Sequence, residues 1–260
     1  SQSDEVETIG FAGFFGLPMA HRAHGTDDLA THLPVLLNPG LTSTSHEDAA
    51  TEQADRIAKR MTRAWGRFRQ AAVSSFAFVE AAGPGYAWKL MKDSLGFAAP
   101  GLRPEPKPRI EGGLSAEAKA ATGAAVLKAM SMTTGLARLV VLLGHGARVT
   151  NNPHESAYHC GACGGQTGEI SARLLAQLLN DPETRAGLPA HGITLPEDTF
   201  FLAGLHDTTT DAILLYEDCD GPAHAADIAK AKALFARAAD VARAERAARL
   251  PGATASTIAA

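Results

Sequence analysis

The residues with the clearest capacity for chemistry lie in two short strings rich in glycine. Gly144-His145-Gly146 follows an apolar run, and Cys160-Gly161-Ala162-Cys163-Gly164-Gly165 follows the next loop. Imidazole and thiolate are ligands that zinc prefers, and glycine lets the backbone turn sharply around a metal. A tetrahedral site needs three or four protein ligands, so His145 and Cys160 cannot form one alone. The candidates for the others are Cys163, His159, His154, His206, an acidic residue, or chain outside these 260 residues.

The Cys-x-x-Cys string also fits three other uses. A thiol redox motif fits two cysteines that precede a helix, because the helix dipole lowers a thiol pKa, although such a motif usually follows a strand directly. Cys160 fits a nucleophile with His145 as its general base. Both cysteines also fit a role as small, packed apolar side chains. The residues alone leave these interpretations open beside the metal site.

A third polar string, His206-Asp207-Thr208-Thr209-Thr210-Asp211, lies between two predicted strands. One interpretation is a loop next to a substrate or a metal, with His206 and Asp207 as neighbours of the site. The other is a hairpin turn in which Asp207 and the threonines satisfy backbone N–H groups. The remaining histidines lie among polar residues and are predicted to be solvated: His21, His24, His32, His46, His191 and His224.

Composition argues against several classes of protein. The net charge of -4 argues against nucleic acid as a partner, because that affinity comes largely from clustered lysine and arginine. The string 164–168 lacks the lysine of a phosphate-binding loop, so nucleotide binding is rejected. No apolar run is long enough to cross a bilayer, which leaves peripheral association. Three cysteines and no signal peptide favour a reducing compartment, on the cytoplasmic side.

The first half of the chain is predicted to be mostly helical. A long amphipathic helix is expected over 45–82, with Ser45 as its N-cap. Gly83-Pro84-Gly85 is predicted to stop it, and a short helix to follow over 86–95. Residues 98–113, rich in proline and charge, are predicted to be an exposed linker.

The second half is predicted to form an α/β layer. A helix over 115–134 leads into the apolar run 137–143, which is typical of a buried parallel strand. His145 then lies at the carboxyl end of that strand, where such sheets usually bind ligands. Further predicted elements are a helix over 168–180, strands over 199–205 and 212–216, and a helix over 223–250. The apolar, glycine-containing string 9–17 predicts a buried strand or a tight turn.

Five strings, in this order and spacing, resemble a single family. They are Thr8-Ile9-Gly10-Phe11-Ala12-Gly13-Phe14-Phe15-Gly16, Gly144-His145-Gly146, Asn151-Asn152-Pro153, Cys160-Gly161-Ala162-Cys163-Gly164-Gly165 and His206-Asp207-Thr208-Thr209-Thr210-Asp211. The family is DabA, a family of inorganic carbon transporter subunits, and the resemblance runs from Thr8 to about Leu250. No single string is unique to the family, but the ordered set is specific.

The resemblance implies an active site similar to that of β-carbonic anhydrase. The implied fold is α/β, with a largely parallel central sheet flanked by helices and a mostly helical insertion over 45–134, within a single domain fragment over 1–260. Zinc is held in the family by Cys, Asp, His and Cys, which makes His145 and Cys160 metal ligands here and Cys163 a neighbour.

The other half of the implied zinc site is absent from this sequence. In the family it comes from a Cys-x-Asp-x-Arg segment just upstream of the Gly-Phe-Ala-Gly-Phe-Phe string, and its Asp and Arg would gate the open zinc position. The chain has no such segment and is expected to be an internal fragment, with the catalytic Asp and Arg upstream of Ser1. Alone it is expected to bind zinc weakly, or with a substitute ligand such as His159.

The implied function is energy-coupled uptake of inorganic carbon. Zinc-dependent hydration of CO2 to bicarbonate would be coupled to a cation-conducting membrane subunit of the DabB type, at the cytoplasmic face of the bacterial inner membrane. Two alternatives belong to other classes: a non-catalytic zinc-binding docking module and a Cys-x-x-Cys thiol redox protein.

Overall fold

A computed structural model describes residues 6–71, 75–95, 105–149, 153–219 and 221–253. Within these ranges, the chain forms both α-helices and β-strands, and the predicted α/β class is confirmed. The strands are β1 Met19–Arg22, β2 Leu29–Thr31, β3 Leu41–Thr44, β4 Arg109–Ile110, β5 Leu139–Gly146, β6 Phe200–Asp207 and β7 Ile213–Tyr216. The α-helices are α1 Ala49–Gln70, α2 Ser75–Ser94, α3 Ala116–Ala129, α4 Glu155–Tyr158, α5 Glu169–Asn180, α6 Pro182–Gly187 and α7 Ala225–Ala247.

The strands form two mixed sheets. The first has the order β2-β1-β3-β4, in which only β1 and β3 are parallel, and the second has the order β5-β6-β7, in which only β5 and β6 are parallel. The expectation of one largely parallel central sheet is therefore not confirmed. Strands β1 to β4 are only two to four residues long, too short for a periodic pattern to reveal them. The division of the chain into domains stays a prediction.

The helices between β3 and β5 differ from the predicted arrangement. Helix α1 is capped by Asp48, whose carboxylate accepts from the N–H groups of Ala50 and Thr51, so Ser45 is not the N-cap. Helix α2 continues through Pro84, where a stop was predicted. Proline removes one backbone donor and crowds the carbonyl four residues before it, and glycine lies on both sides, so local helix propensity does not explain the continuous helix.

The predicted exposed linker over 98–113 is wrong for the half that the structure describes; residues 98–104 lie outside the described ranges. Pro108 is buried, and its carbonyl accepts from the Gln177 amide at 3.1 Å. Strand β4 pairs with β3. This proline-rich segment is therefore held against α5 and β3 rather than free in solvent.

One hydrophobic core joins the two halves of the molecule. Phe201 of β6, Leu175 of α5 and Leu127 of α3 are fully buried in it, and Leu17 and Met19 reach it from the N-terminal segment. Helix α5 packs on β5 and β6 of the second sheet, and α3 packs against α6 and α5. The predicted helices over 115–134, 168–180 and 223–250 correspond to α3, α5 and α7, with ends that differ by a few residues.

The prediction that the remaining histidines are solvated is wrong for four of them. His21, His24, His32 and His224 are buried. Their polar sequence neighbours gave the wrong indication, because the partners come from distant residues. His21 Nδ1 lies 2.9 Å from Ser43 Oγ, and His24 Nδ1 lies 3.1 Å from Asp55 Oδ2.

Burial of His21 and His32 predicts an acid-sensitive fold. Burial, with a smaller contribution from His32, lowers the pKa of His21 to about 3, and burial lowers the pKa of His32 to about 4. In the unfolded chain both histidines have their ordinary pKa, so below pH ~6.5 the unfolded chain binds more protons than the folded one. The free energy of unfolding therefore decreases as the pH is lowered. We expect each imidazole to remove about 1.4 kcal/mol per pH unit below 6.5, until its folded pKa is reached.

Urea unfolding between about pH 7.5 and 5.5 measures this acid sensitivity. His32→Gln should flatten the pH dependence of the free energy of unfolding, and the matched variant His191→Gln, at a less buried position, should leave it unchanged. Equal pH dependence in all three proteins would contradict the prediction.

Candidate functional site

The carboxyl end of β5 is held in place by backbone contacts that only glycine allows. Gly168, which precedes α5, donates its N–H to the His145 carbonyl at 2.9 Å. A methyl group on Gly144 would lie 2.5 Å from the Gly168 carbonyl oxygen, and one on Gly168 would lie 2.9 Å from Gly144 Cα. Direct contact between the backbones of Gly144 and Gly168 therefore holds His145 next to the start of α5. Sequence analysis did not identify Gly168 as part of the site.

The cysteine string forms a compact turn beside this strand end. Cys160 N–H donates to the Gln166 carbonyl at 3.0 Å, and the Cys160 carbonyl accepts from Cys163 and Gly165 at 3.0 and 3.1 Å. Gly164 and Gly165 have φ values of 66° and 82°, which favour glycine. Both thiols are buried and free. The turn thus points two sulfur atoms into the protein interior.

The N-terminal glycine string closes over these sulfur atoms. It forms a tight turn in which Phe15 N–H donates to the Ala12 carbonyl at 2.8 Å, so the turn interpretation of 9–17 is confirmed. A side chain at Gly13 would lie 2.6 Å from Cys160 Sγ and 3.6 Å from Cys163 Sγ. Sequence analysis gave Gly13 no role. The sequence feature that could have indicated its role is a glycine among large apolar side chains.

The two thiols have opposite protonation tendencies. The hydrogen bond from Cys163, opposed by burial and aided by the charge of His145 and by backbone N–H groups, lowers the pKa of Cys160 to about 6. The same hydrogen bond and burial raise the pKa of Cys163 far above its ordinary value. Cys160 is thus the thiolate and Cys163 the donor that stabilises it. Thiolate is the form of cysteine that ligates metals.

His159 connects the cysteine turn to β5. Its Nδ1 accepts from the backbone N–H of Ala147 at 3.2 Å, and its Nε2 lies 3.7 Å from Glu155 Oε1. The Nδ1 lone pair is therefore engaged, and only Nε2 stays available for another partner. This favours a role for His159 in positioning the strand end.

The string 206–211 is the hairpin turn between β6 and β7. Asp207 is buried, and its carboxylate accepts from the N–H groups of Arg148 and Thr209 and from the hydroxyls of Thr209 and Thr210. Burial raises the pKa of Asp207, but these hydrogen bonds hold it below its ordinary value. Thr208 N–H also donates to the Gly146 carbonyl at 2.8 Å. The hairpin interpretation therefore accounts for Asp207, and the hairpin also supports β5.

The paired strands bring His206 alongside His145. In the parallel register of β5 and β6, these residues are Cα partners, as are Gly146 and Asp207. His206 Nε2 lies 3.4 Å from Asp211 Oδ1, and Arg246 of α7 pairs with the same carboxylate at 2.9 Å. This contact of α7 with the hairpin could not be predicted from the sequence, because α7 contains several arginines and nothing distinguishes Arg246 from the others.

Loss of the Asp207 carboxylate should destabilise the fold. Asp207→Ala removes the acceptor of four hydrogen bonds: the Thr209 N–H loses its acceptor, and the Arg148 N–H keeps only Thr209 Oγ1 at 3.2 Å. A donor left without an acceptor costs about 1–3 kcal/mol. We expect about 2 kcal/mol less stability in urea unfolding. Asp198→Ala is the matched control, because this exposed carboxylate pairs only with Arg138 across 3.5 Å and such pairs contribute about 0–1 kcal/mol. Equal losses for the two variants would contradict the role assigned to Asp207.

The described residues do not form a complete metal site. In the ranges 6–71, 75–95, 105–149, 153–219 and 221–253, no three His, Cys, Asp or Glu side chains converge closely enough to hold a metal ion. Asn151 and Asn152 of the third string lie outside these ranges. His145 and Cys160 are near enough for the charge of His145 to lower the pKa of Cys160. Imidazole and thiolate are ligand types that suit zinc.

The fold and these residues define an α/β protein with an imidazole, His145, at a strand end and the buried Cys160 thiol near it. A sequence model of the family described as "Probable inorganic carbon transporter subunit DabA" matches residues 1–260. The chain is similar to proteins of that name from Xanthomonas euvesicatoria pv. vesicatoria (55% identical over 251 residues) and Roseobacter denitrificans (55% identical over 253 residues). The chain therefore belongs to the DabA family.

The alignments cover most of this chain but a minor part of each relative. They span 95% of the chain and 31% of the Xanthomonas protein, and 96% of the chain and 32% of the Roseobacter protein. The chain thus spans about a third of the length of these relatives. No solved structure matches it. Where the structure describes the chain, none of its helices has the length and apolar character needed to span a bilayer.

Proposed function

We propose that the chain is the part of an inorganic carbon uptake subunit that supplies His145 and Cys160 to a zinc site. The observation that carries this proposal is the lowered pKa of the buried Cys160 thiol, held beside His145 by the glycine contacts of β5, α5 and the N-terminal turn. Thiolate is the form of cysteine that binds zinc, so a thiol that ionises near neutral pH favours metal binding. The residues present fit two of the four ligands of a tetrahedral zinc ion.

The remaining ligands are proposed to come from elsewhere in the longer protein. The DabA resemblance implies a Cys and an Asp upstream of the string that contains Gly13, and Gly13 already lies against Cys160 Sγ. The N-terminal turn therefore leads the chain directly to the half-site. This proximity supports an upstream second pair of ligands.

The residues of this chain near the proposed site have different roles. Cys160 and His145 are proposed to bind the metal, while Cys163 donates a hydrogen bond that keeps Cys160 ionised. His159 and the hairpin at Asp207 hold the end of β5. When bound, zinc would supply Lewis-acid chemistry that lowers the pKa of water and permits CO2 hydration to bicarbonate near neutral pH.

The whole protein is proposed to work as one subunit of a membrane complex. The relatives are named as transporter subunits, which implies a partner. We propose a cation-conducting DabB-type membrane subunit, with this chain peripheral at the cytoplasmic face. Coupling of CO2 hydration to ion flow would make the reaction one-directional.

Growth of a bacterial strain without its own carbonic anhydrase tests the uptake function. The full-length protein with its membrane partner should restore growth at ambient CO2, and either subunit alone should not. Rescue by the membrane subunit alone, or equal rescue with His145→Ala, would overturn the proposal. Zinc binding without rescue under any pairing would support the docking module instead.

A thiol redox function is the second candidate, because the Cys160 and Cys163 thiols are hydrogen-bonded and differ strongly in pKa. It predicts a Cys160–Cys163 disulfide under mild oxidation and activity in metal-depleted protein. Stoichiometric zinc that protects both thiols from oxidation would exclude it.

A further inference from the structure

Helices α1 and α2 form an arm, 49–71 and 75–95, whose base is fixed to the first sheet. Glu52 accepts from the Gly25 N–H at 3.1 Å, Asp55 contacts His24, and Arg56 pairs with Asp27 at 2.6 Å. The two acidic residues of α1 are thus engaged at its start. The rest of the arm extends away from these contacts.

The arm beyond its base exposes an unusual amount of apolar surface. On α1 the exposed side chains follow spacings of three and four residues, which places them on one face: Ile57, Met61, Trp65 and Phe68. On α2 they are Val79, Trp88, Leu90 and Met91, and exposed Leu95 follows the helix directly. Trp88 and Leu90, two positions apart, lie on opposite sides of their helix. Contiguous exposed apolar surface of this kind marks an interaction site.

The same arm carries concentrated positive charge. From Arg56 to Val79 the sequence has six basic residues and no acidic one. Arg60, Arg63 and Arg67 surround one open depression on α1. None of the three guanidinium groups makes an ion pair or hydrogen bond with any part of the chain that the structure describes. Three neighbouring guanidinium groups without a counter-charge favour an anionic partner.

We infer that the arm docks onto an anionic lipid surface. Arginine guanidinium groups bind lipid phosphates, and the aromatic and aliphatic side chains of α1 and α2 enter the boundary between headgroups and acyl chains. On α1 the exposed apolar face and the three arginines adjoin each other. A basic amphipathic helix of this kind is typical of binding to an anionic membrane surface.

This inference deepens the proposed peripheral attachment and rests on it, but the two fail in different experiments. Loss of arm docking should leave zinc content unchanged, because the arm base and the half-site share no ligand residue. Absence of zinc from a protein that still binds vesicles would overturn the metal proposal and leave the arm inference standing.

Co-sedimentation with lipid vesicles tests the arm. The chain should bind phosphatidylcholine vesicles that contain phosphatidylglycerol far more tightly than vesicles of phosphatidylcholine alone. The triple variant Arg60→Gln/Arg63→Gln/Arg67→Gln should lose about 100-fold in affinity, since each basic residue near an anionic surface contributes about 1 kcal/mol. Lys128→Gln/Arg237→Gln/Arg249→Gln, an equal charge change at exposed positions, should retain the affinity.

A second variant separates lipid insertion from charge alone. Met61→Ser/Trp88→Ser keeps every charge and should also weaken binding to the anionic vesicles, with the circular dichroism of the folded chain unchanged. Equal binding by the arm variants and the control would overturn the inference. Vesicle binding that requires the membrane subunit would also overturn it. So would arm variants that lose self-association while their vesicle binding stays unchanged.

Discussion

Full-length protein that carries His145→Ala or Cys160→Ala should lose its zinc. Wild-type protein is expected to hold close to one zinc per chain, and each variant less than about a tenth of that, because three ligands retain a tetrahedral zinc far less tightly than four. Cys160 is the ionised thiol and His145 the strand-end imidazole beside it. Metal analysis after gel filtration measures the effect.

Two other cysteine variants sharpen the zinc prediction. Cys219→Ser should keep full zinc, because Cys219 belongs to the segment after β7. Cys163→Ser should keep zinc but bind it more weakly at low pH, because it replaces the thiol donor that lowers the Cys160 pKa. Equal zinc loss in Cys163→Ser and Cys160→Ala would show that Cys163 is a ligand.

Gly144→Ala should destabilise the protein strongly, and far more than the same change at Gly161. The added carbon would lie 2.5 Å from the Gly168 carbonyl oxygen, and both partners are backbone, which cannot move aside as a flexible side chain does. Overpacking of this kind costs typically about 1–3 kcal/mol, and a backbone contact in the core should reach the upper end, about 3 kcal/mol. Zinc content should fall with it, since the same contact holds His145.

Gly161→Ala is the matched control for the glycine prediction. Gly161 lies in the cysteine turn, yet a methyl group there meets no atom within 4 Å. Urea unfolding should give a change close to zero for this variant. A loss in Gly161→Ala equal to that in Gly144→Ala would contradict the account of the packed strand end.

The extent to which the sequence predicted the fold depended on the length of each element. Helices α3 and α5 and strands β5 and β6 are long and periodic, so their patterns predicted them with small errors at the ends. Strands β1 to β4 are held by pairing between residues far apart in the chain, such as Met19 with Leu41, and local patterns do not carry that information. Pro84 in α2 shows that a strong local signal can also yield to its surroundings.

The candidate site was predicted in part for similar reasons. Ligand chemistry selected His145 and Cys160, and the structure brings the charge of one close enough to affect the pKa of the other. The contacts of Gly13 with Cys160 and of Gly168 with Gly144 depend on three separate segments that meet in the fold. The burial of His21 and His32 was missed because their environment is built by the first sheet. Residue type therefore indicates candidate donors, and only tertiary structure reveals the residues that support them.

Uptake of radiolabelled inorganic carbon tests most directly whether the half-site serves transport. Cells that produce the full-length protein and its membrane partner should accumulate label, and the same cells with His145→Ala should fall to the level of cells without the protein. Cells with the matched control Gly161→Ala should accumulate label like the wild type. Undiminished accumulation with His145→Ala, in cells that contain normal amounts of the folded variant, would contradict the proposed zinc-dependent uptake.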